Sequence, residues 1–400
     1  MPPRPSLAGI FLAALRLGCT SFGGPVAHLA YFRKEYVEKR RWLDEAHYAD
    51  LVALCQFLPG PASSQVGFGV GCLQRGLAGG LAAWLGFTLP SAVLMIGFAY
   101  GVTALGDPAA GWLRGLKVAA VAVVAQAVWA MSRTLCPDWP RRLLALAAAG
   151  TVLWLPFGWS QIGVIAVGTG LGWLLFQNNA DRGSAEVRSD GVLPSASPSF
   201  RVSAICLVLF LGLLLGLPLV AGGAHNQSLD VLDRFYRAGA MVFGGGHVVL
   251  PLLEREVVAP GWVTHDQFLA GYGAAQAVPG PLFTFSGYLG AVMTHGPRGW
   301  VGGAWALLGI FLPALLLVAG VLPFWQQLRS RPGAQAALRG ANAVVVGLLL
   351  AALYQPVWTT GITNGRGVAM AVAGFVALQF GKIPAWAVVL AAAAFGRWWL

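Results

Sequence analysis

The sequence predicts an all-α polytopic membrane protein made of two inverted-topology repeats, with broken or re-entrant helices at duplicated FGG and PGP motifs. Three observations carry that prediction. Of the 400 residues, 57% are hydrophobic and 10% charged, and the mean hydropathy is +0.68, more apolar than a water-soluble domain needs in order to build a core. Apolar runs of about 20 residues, the length that spans a bilayer, recur along the chain. The second half of the sequence also repeats the first, segment by segment.

The opening "MPPRPSLAGIFLAALRLG" resembles a signal peptide, but Arg16 interrupts its apolar core and no small-residue cleavage pattern follows, so the segment is expected to be retained. Runs at 77–104, 112–132, 203–222, 301–323 and 341–355 are long enough to cross. Shorter apolar pairs lie at 143–157 with 161–176 and at 367–381 with 383–396. Between the halves, "QNNADRGSAEVRSDGVLPSASPS" reads as a polar linker. The expected organisation is a first transmembrane repeat over 1–177, the linker over 178–201, a connecting transmembrane helix over 202–222 and a second repeat over 223–400.

The duplication is explicit. "SFGGPVAHL" from Ser21 matches "VFGGGHVVL" from Val242, and "RRWLDEAHYADLVALCQFLPGP" matches "APGWVTHDQFLAGYGAAQAVPGP". "GFTLPSAVL" from Gly86 matches "GIFLPALLL" from Gly309, and "LKVAAVAVV" from Leu116 matches "LRGANAVVV" from Leu338, with the offset always between 220 and 224. One unmatched crossing between repeats that each cross an even number of times reverses the second repeat. If every apolar segment crosses, the basic residues other than Arg16 divide 13 to 12 between the two sides. If the FGG and PGP segments fold back as re-entrant hairpins, they divide 17 to 8, which the positive-inside rule reads as a cytoplasmic N-terminus and an exported C-terminus.

A helix does not run through Pro-Gly-Pro, because each proline removes a donor and clashes with the preceding turn. Irregular backbone at membrane depth is tolerated where it is buried in protein or lines a cavity, and inverted repeats place binding sites where such breaks meet. A helix restarting after a break presents free N–H groups and about half a positive charge, which suits an oxyanion. The candidate substrate-binding residues are therefore Phe22, Gly23 and Gly24 with Phe243, Gly244 and Gly245, and Pro59, Gly60 and Pro61 with Pro279, Gly280 and Pro281. The glycines permit close approach of a ligand to the backbone or close helix packing. Ser63, Ser64 and Thr284 offer hydroxyl donors or cap the restarted helices.

Arg16 and Arg237 each lie six residues before the phenylalanine of FGG. A guanidinium at such depth faces a cavity or a partner and its fork of donors suits a tetrahedral oxyanion; the alternatives are snorkelling or pairing with a nearby carboxylate. Gln56 and Gln276 are duplicated, as are Glu35 and Glu256, which read as proton-coupling groups, partners for an arginine, or solvated loop charges. Lys117 and Arg339 align at segment starts, where interfacial anchors belong. The five cysteines form no CxxC and read as small core residues, and the histidines form no HxxxH pair, so no metal is assigned.

The set of motifs, FGG followed some 36 residues later by PGP in both halves, resembles the chromate ion transporter family, and the likeness extends over essentially the whole chain. The resemblance implies export of chromate from the bacterial cytoplasm across the inner membrane and chromate resistance. It makes the oxyanion, chromate or sulfate, and the lipid bilayer the expected partners, with a homodimer as a further expectation. One departure is that Gly246 stands where the first half has Pro25. The expected mechanism is alternating access at a site formed by the two repeats. A sulfate or oxyanion uptake carrier and an anion channel are the alternatives, since re-entrant hairpins also build selectivity filters. No HExxH, GxSxG, Cys/His dyad or GxGxxG is present, so neither an enzyme nor a cofactor is expected, and the net charge of +11 reads as orientation or anion attraction rather than nucleic-acid binding.

Overall fold

The computed structural model describes residues 5–105, 111–155, 160–177, 198–224, 226–243, 246–325 and 331–399, and these residues are helical with no strand. Residues 178–197 of the expected linker, and Gly244 and Gly245 of the candidate site, lie outside the described residues. The first half comprises α1 (Leu7–Thr20), α2 (Gly24–Phe32), α3 (Glu45–Phe57), α4 (Ala62–Leu105), α5 (Gly111–Leu135), α6 (Trp139–Trp154) and α7 (Ser160–Leu175). After the connecting α8 (Phe200–Ala224) come α9 (Gln227–Ala240), α10 (Val249–Val257), α11 (His265–Ala275), α12 (Phe285–Val292), α13 (Gly299–Val321), α14 (Pro332–Ala352), α15 (Gly365–Gln379) and α16 (Ala385–Trp399).

Local chemistry sets the helix starts. Ser6 accepts from the Gly9 N–H, Asp44 from the His47 N–H, and Thr264 forms a reciprocal capping box with Gln267. Each satisfies an otherwise orphaned donor. Asp44 and Thr264 occupy matching places in the two halves, so α3 and α11 begin alike.

A straight α4 of 44 residues would run about 66 Å at 1.5 Å per residue, twice the hydrocarbon thickness of about 30 Å. It does not run straight. Arg75 (φ −141°, ψ 29°) and Gly76 (φ 61°, ψ −156°) leave the helical region, and the chain doubles back. A Cβ on Gly71 would strike the Gly79 carbonyl, one on Gly79 the Gly71 carbonyl, and one on Gly80 would lie 2.5 Å from Cys72 Sγ. The arm before the bend thus lies backbone to backbone against the arm after it, a contact only small residues permit. The second half bends at the matching place: Arg298 and Gly299 (φ 61°) separate α12 from α13, and Gly290 and Gly302 face each other. Each PGP is consequently the tip of a short helical hairpin, α3 with the first arm of α4, and α11 with α12.

Among the described residues, α4, α5, α8, α13 and α14 with its continuation are long and apolar enough to cross a membrane. The protein is an all-α polytopic membrane protein. Its halves interdigitate: α5 packs along α16, the last helix of the second half, and α14 along α7, the last of the first. Gly115 fits against the Ala392 carbonyl and Gly340 against that of Gly168. The main core accordingly mixes Met95, Val121 and Val124 with Phe235, Leu253 and Phe268. Connecting α8 leans on the second half, where Ser203 Oγ donates to the Ala319 carbonyl at 2.8 Å and Tyr236 Oη donates to the Phe210 carbonyl at 3.0 Å. Its outer face exposes Val208, Leu215 and Leu219, which lipid covers in a bilayer.

Lys117, read from the sequence as an interfacial anchor, is buried instead. Its Nζ lies 2.8 Å from Asp266 Oδ1 on α11 and ties the two halves together. Of the five cysteines, Cys55, Cys72, Cys136 and Cys206 are buried as expected and Cys19 is exposed.

Candidate substrate site where the broken segments meet

α1 stops at Thr20 because the next residues cannot continue it. Ser21 is extended, Gly23 and Gly24 take φ of 99° and 80°, and Pro25 then sits in the first turn of α2. The left-handed φ values favour glycine. The PGP tips use the same device, with φ 128° at Gly60 and 99° at Gly280.

The tips do not stay within their own half. The Gly60 N–H donates to the Val242 carbonyl at 2.7 Å, and the Gly280 N–H donates to the Ser21 carbonyl at 2.9 Å. Ser21 and Val242 are the residues immediately before Phe22 and Phe243. Each PGP therefore closes on the FGG of the other half, reciprocally. The residues that follow the two FGG motifs also approach one another, since a Cβ on Gly246 would lie 3.6 Å from Pro25 Cγ.

Around Gly60, a Cβ would lie 2.6 Å from that of Ala314 and 3.0 Å from Gln65 Nε2, and Gln65 Nε2 donates to the Pro59 carbonyl at 2.9 Å. The Gln65 N–H bonds back to the Pro61 carbonyl at 3.0 Å, so the N–H groups of Ala62, Ser63 and Ser64 have no partner within the helix. Around Gly280, a Cβ would lie 2.7 Å from Ser91 Oγ and 3.4 Å from the Gly18 carbonyl. Buried Ser21 Oγ, Ser64 Oγ, Gln65 Oε1, Thr88 Oγ1 and Gln276 Nε2 have no hydrogen-bond partner. Buried polar groups of this kind are rare and call for a reason.

The other predicted site residues fall as follows. Ser63 and Ser64 are buried in the first turn of α4, while Thr284 Oγ1 is committed to the Pro281 carbonyl at 2.8 Å. Phe22 lies 6.0 Å from the Trp386 ring. Gln56 is exposed, whereas Gln276 is half-buried.

The two arginines part company. Arg237 donates from Nε and Nη2 to Asp233, with Nη2 2.8 Å from Oδ2, and stands 3.6 Å from Glu256 Oε2. The carboxylate alternative therefore describes it. Arg16 is exposed on the face of α1 that carries Leu12, with no ion pair among the described residues. Glu35 and Glu256 are buried rather than solvated. Glu35 accepts from Arg40 Nε at 2.7 Å, with Lys39 Nζ 3.5 Å away. Burial pushes its carboxyl up, but the Arg40 bond and the charges of Arg40 and Lys39 outweigh that and hold it below the usual range.

Four groups escaped the reading by motif. Ser21, Thr88 and Ser91 lie inside the quoted duplications, where a residue-by-residue comparison finds Val242, Phe311 and Ala314 opposite them. Asp233 was visible only as a carboxylate four residues before Arg237, the spacing at which helical side chains pair.

A model of the chromate transporter family matches residues 8–173 and 229–397 of this chain. The chain is 29% identical to the chromate transport protein of Pseudomonas aeruginosa, over all of this chain and 94% of that protein. It is 27% identical to a probable chromate transport protein of Synechococcus elongatus, over 88% of this chain and 84% of the relative. It is 25% identical to an uncharacterized transporter of Methanocaldococcus jannaschii, over 87% of this chain and 83% of the relative. No solved structure matches.

Proposed function

This chain belongs to the chromate transporter family, and from that premise and the meeting of its broken segments we propose that it exports chromate, or a related tetrahedral oxyanion, from the cytoplasm by alternating access, and so confers chromate resistance. The observation that carries the reading is the reciprocal pair of bonds, Gly60 to Val242 and Gly280 to Ser21. They gather both FGG and both PGP segments, with the free N–H groups of the restarted helices, into one place inside a membrane protein. Family relatives of similar length are named for chromate transport, which favours chromate among oxyanions.

The direction follows from energetics. A dianion leaving a cell held about 100 mV negative gains roughly 4.6 kcal/mol, worth about a thousandfold or more in concentration. Outward movement needs no other fuel. We place the N-terminus in the cytoplasm and the C-terminus outside a bacterial inner membrane, on the 17 to 8 division of basic residues. Arg16, which makes no ion pair among the described residues, supplies positive potential along α1, while the charge of Arg237 is neutralised by Asp233 and Glu256. Glu35 and Glu256 are the groups that would carry coupling protons.

The test is efflux of labelled chromate from loaded cells with and without the protein, repeated with excess sulfate and after collapse of the membrane potential. Faster, potential-dependent efflux is expected. Unchanged efflux from cells shown to contain the inserted protein would remove chromate as the substrate.

A further inference from the structure

The two places where a PGP tip meets an FGG segment are built on the same backbone plan, yet their side chains differ: Ser21, Thr88 and Ser91 stand opposite Val242, Phe311 and Ala314, while Ser63 and Gln65 stand opposite Phe283 and Phe285. We infer that the oxyanion is held at the meeting of the first FGG with the second PGP, by the hydroxyls of Ser21 and Thr88, and that its counterpart around Gly60 and Val242, where Ser63, Ser64 and Gln65 are buried, is the structural half of the pair. This rests on the oxyanion-transport reading above and answers which half of the site binds.

The first observation is a comparison of matched positions. Ser21, Thr88 and Ser91 on one side correspond to Val242, Phe311 and Ala314 on the other. Three hydroxyls face three side chains that cannot donate. The Gly280 N–H bonds to the Ser21 carbonyl at 2.9 Å, and a Cβ on Gly280 would lie 2.7 Å from Ser91 Oγ, so Ser21, Gly280 and Ser91 are neighbours. Ser91 Oγ donates its proton to the Thr88 carbonyl at 3.1 Å, so it has none left for a ligand, and Thr88 lies three residues before it, on the same face of the helix.

The second observation is burial without a partner. Ser21 is 0% and Thr88 4% exposed, and neither Ser21 Oγ nor Thr88 Oγ1 makes a hydrogen bond. Leaving a buried hydroxyl unsatisfied costs stability, so such groups persist where a ligand satisfies them. Gln276, four residues before Gly280, adds an orphaned amide donor in Nε2. Around Gly60 the balance differs. Ser64 Oγ is orphaned there too, but Gln65 gives one of its two amide hydrogens to the Pro59 carbonyl and leaves the acceptor Oε1 without a partner. An acceptor repels an oxyanion.

The third observation is charge. Arg16, on the helix leading to Ser21, makes no ion pair among the described residues, while Arg237, on the helix leading to Val242, is held by Asp233 and Glu256. The helix leading to the hydroxyls thus carries an arginine without an ion pair, whereas the arginine of the matching helix is neutralised by the buried carboxylates of Asp233 and Glu256.

The test is concentration-dependent chromate flux in proteoliposomes of the purified chain. Ser21→Ala and Thr88→Val each are expected to raise the KM for chromate roughly tenfold or more, the size expected for losing one hydrogen bond to a charged ligand. Ser64→Ala, which removes the orphaned hydroxyl beside Gly60, is expected to raise it less. Protection of the folded protein against heat by chromate, strong in the wild type and lost in Ser21→Ala, reads binding without transport. A wild type that transports, with Ser21→Ala and Thr88→Val within twofold of it or with Ser64→Ala the most damaging, would overturn the assignment while leaving the transporter reading intact. Absence of saturable chromate flux in the wild type, with the protein inserted, would overturn the transporter reading itself.

Discussion

The glycines of the breaks are not interchangeable, and their surroundings rank them. Gly24 has φ 80° with nothing within 4 Å of a Cβ, so Gly24→Ala meets only the left-handed penalty, about 1–2 kcal/mol. Gly60→Ala and Gly280→Ala meet the same penalty and also a collision, with the Ala314 Cβ at 2.6 Å and with Ser91 Oγ at 2.7 Å. We expect thermal unfolding midpoints in detergent to fall more for either of these than for Gly24→Ala. Restoring space with Ser91→Gly should recover part of the Gly280→Ala loss.

Two carboxyls give pH dependences of opposite sign. The lowered pKa of Glu35 means that its contribution is full above the ordinary carboxylate range and is lost as pH falls through the lowered value. Burial pushes Glu254 the other way, from 4.5 to about 7, with His265 Nδ1 3.8 Å from its carboxylate. The fold then favours its protonated form, so stability declines as pH rises across that interval and is level above it. Midpoints measured against pH should therefore lose their acid-side fall in Glu35→Gln and their neutral-side fall in Glu254→Gln. These environments were not legible in the sequence. Glu35 and Glu256 were visible as a duplicated pair, but whether a loop charge is solvated or buried depends on what folds over it.

At the scale of the elements, the bend in α4 is the feature that turns a 44-residue helix into a hairpin arm and a crossing. It requires small residues where the arms touch. Gly71→Val and Gly79→Val would drive side chains into facing carbonyls, and we expect either to cost more than the 1–3 kcal/mol typical of overpacking, since backbone cannot yield as a side chain can. Gly97→Val and Gly101→Val, with nothing within 4 Å, should be tolerated. Folded yield on size-exclusion chromatography compares them.

Much of this element plan was readable. The apolar run read at 77–104 is the crossing arm of α4, and the PGP breaks fall at the hairpin tip. The bend was not read, although its signal was present: Arg75-Gly76 and Arg298-Gly299 share the 223-residue offset of "GFTLP" and "GIFLP". Two-residue matches carry little weight until the backbone gives them a reason, here the positive φ that both glycines adopt. Arg237 illustrates the opposite limit. Its depth and duplication marked it, but its partner Asp233 lies on the polar α9 and Glu256 on α10, and only the fold brings both to one guanidinium.

For the whole molecule, the reciprocal bonds between the halves and the paired bends are what an exchange of two like halves would produce, and Lys117 with Asp266 adds a further tie between them. An odd number of crossings separates the halves if α8 crosses and the FGG and PGP hairpins return to the side they entered from. Matched loops must then lie on opposite faces of the membrane. The basic loop after α2 contains exposed Glu38, and its counterpart after α10 contains exposed Ala259. Single cysteines at these places, in a background lacking the exposed Cys19, should react from opposite sides with a membrane-impermeant maleimide: Ala259→Cys in intact cells, Glu38→Cys only after permeabilisation. Labelling of both from one side would mean that the halves run parallel. The dipoles of the restarted helices would then point the same way across the membrane, and a shared oxyanion site facing both of them could not form.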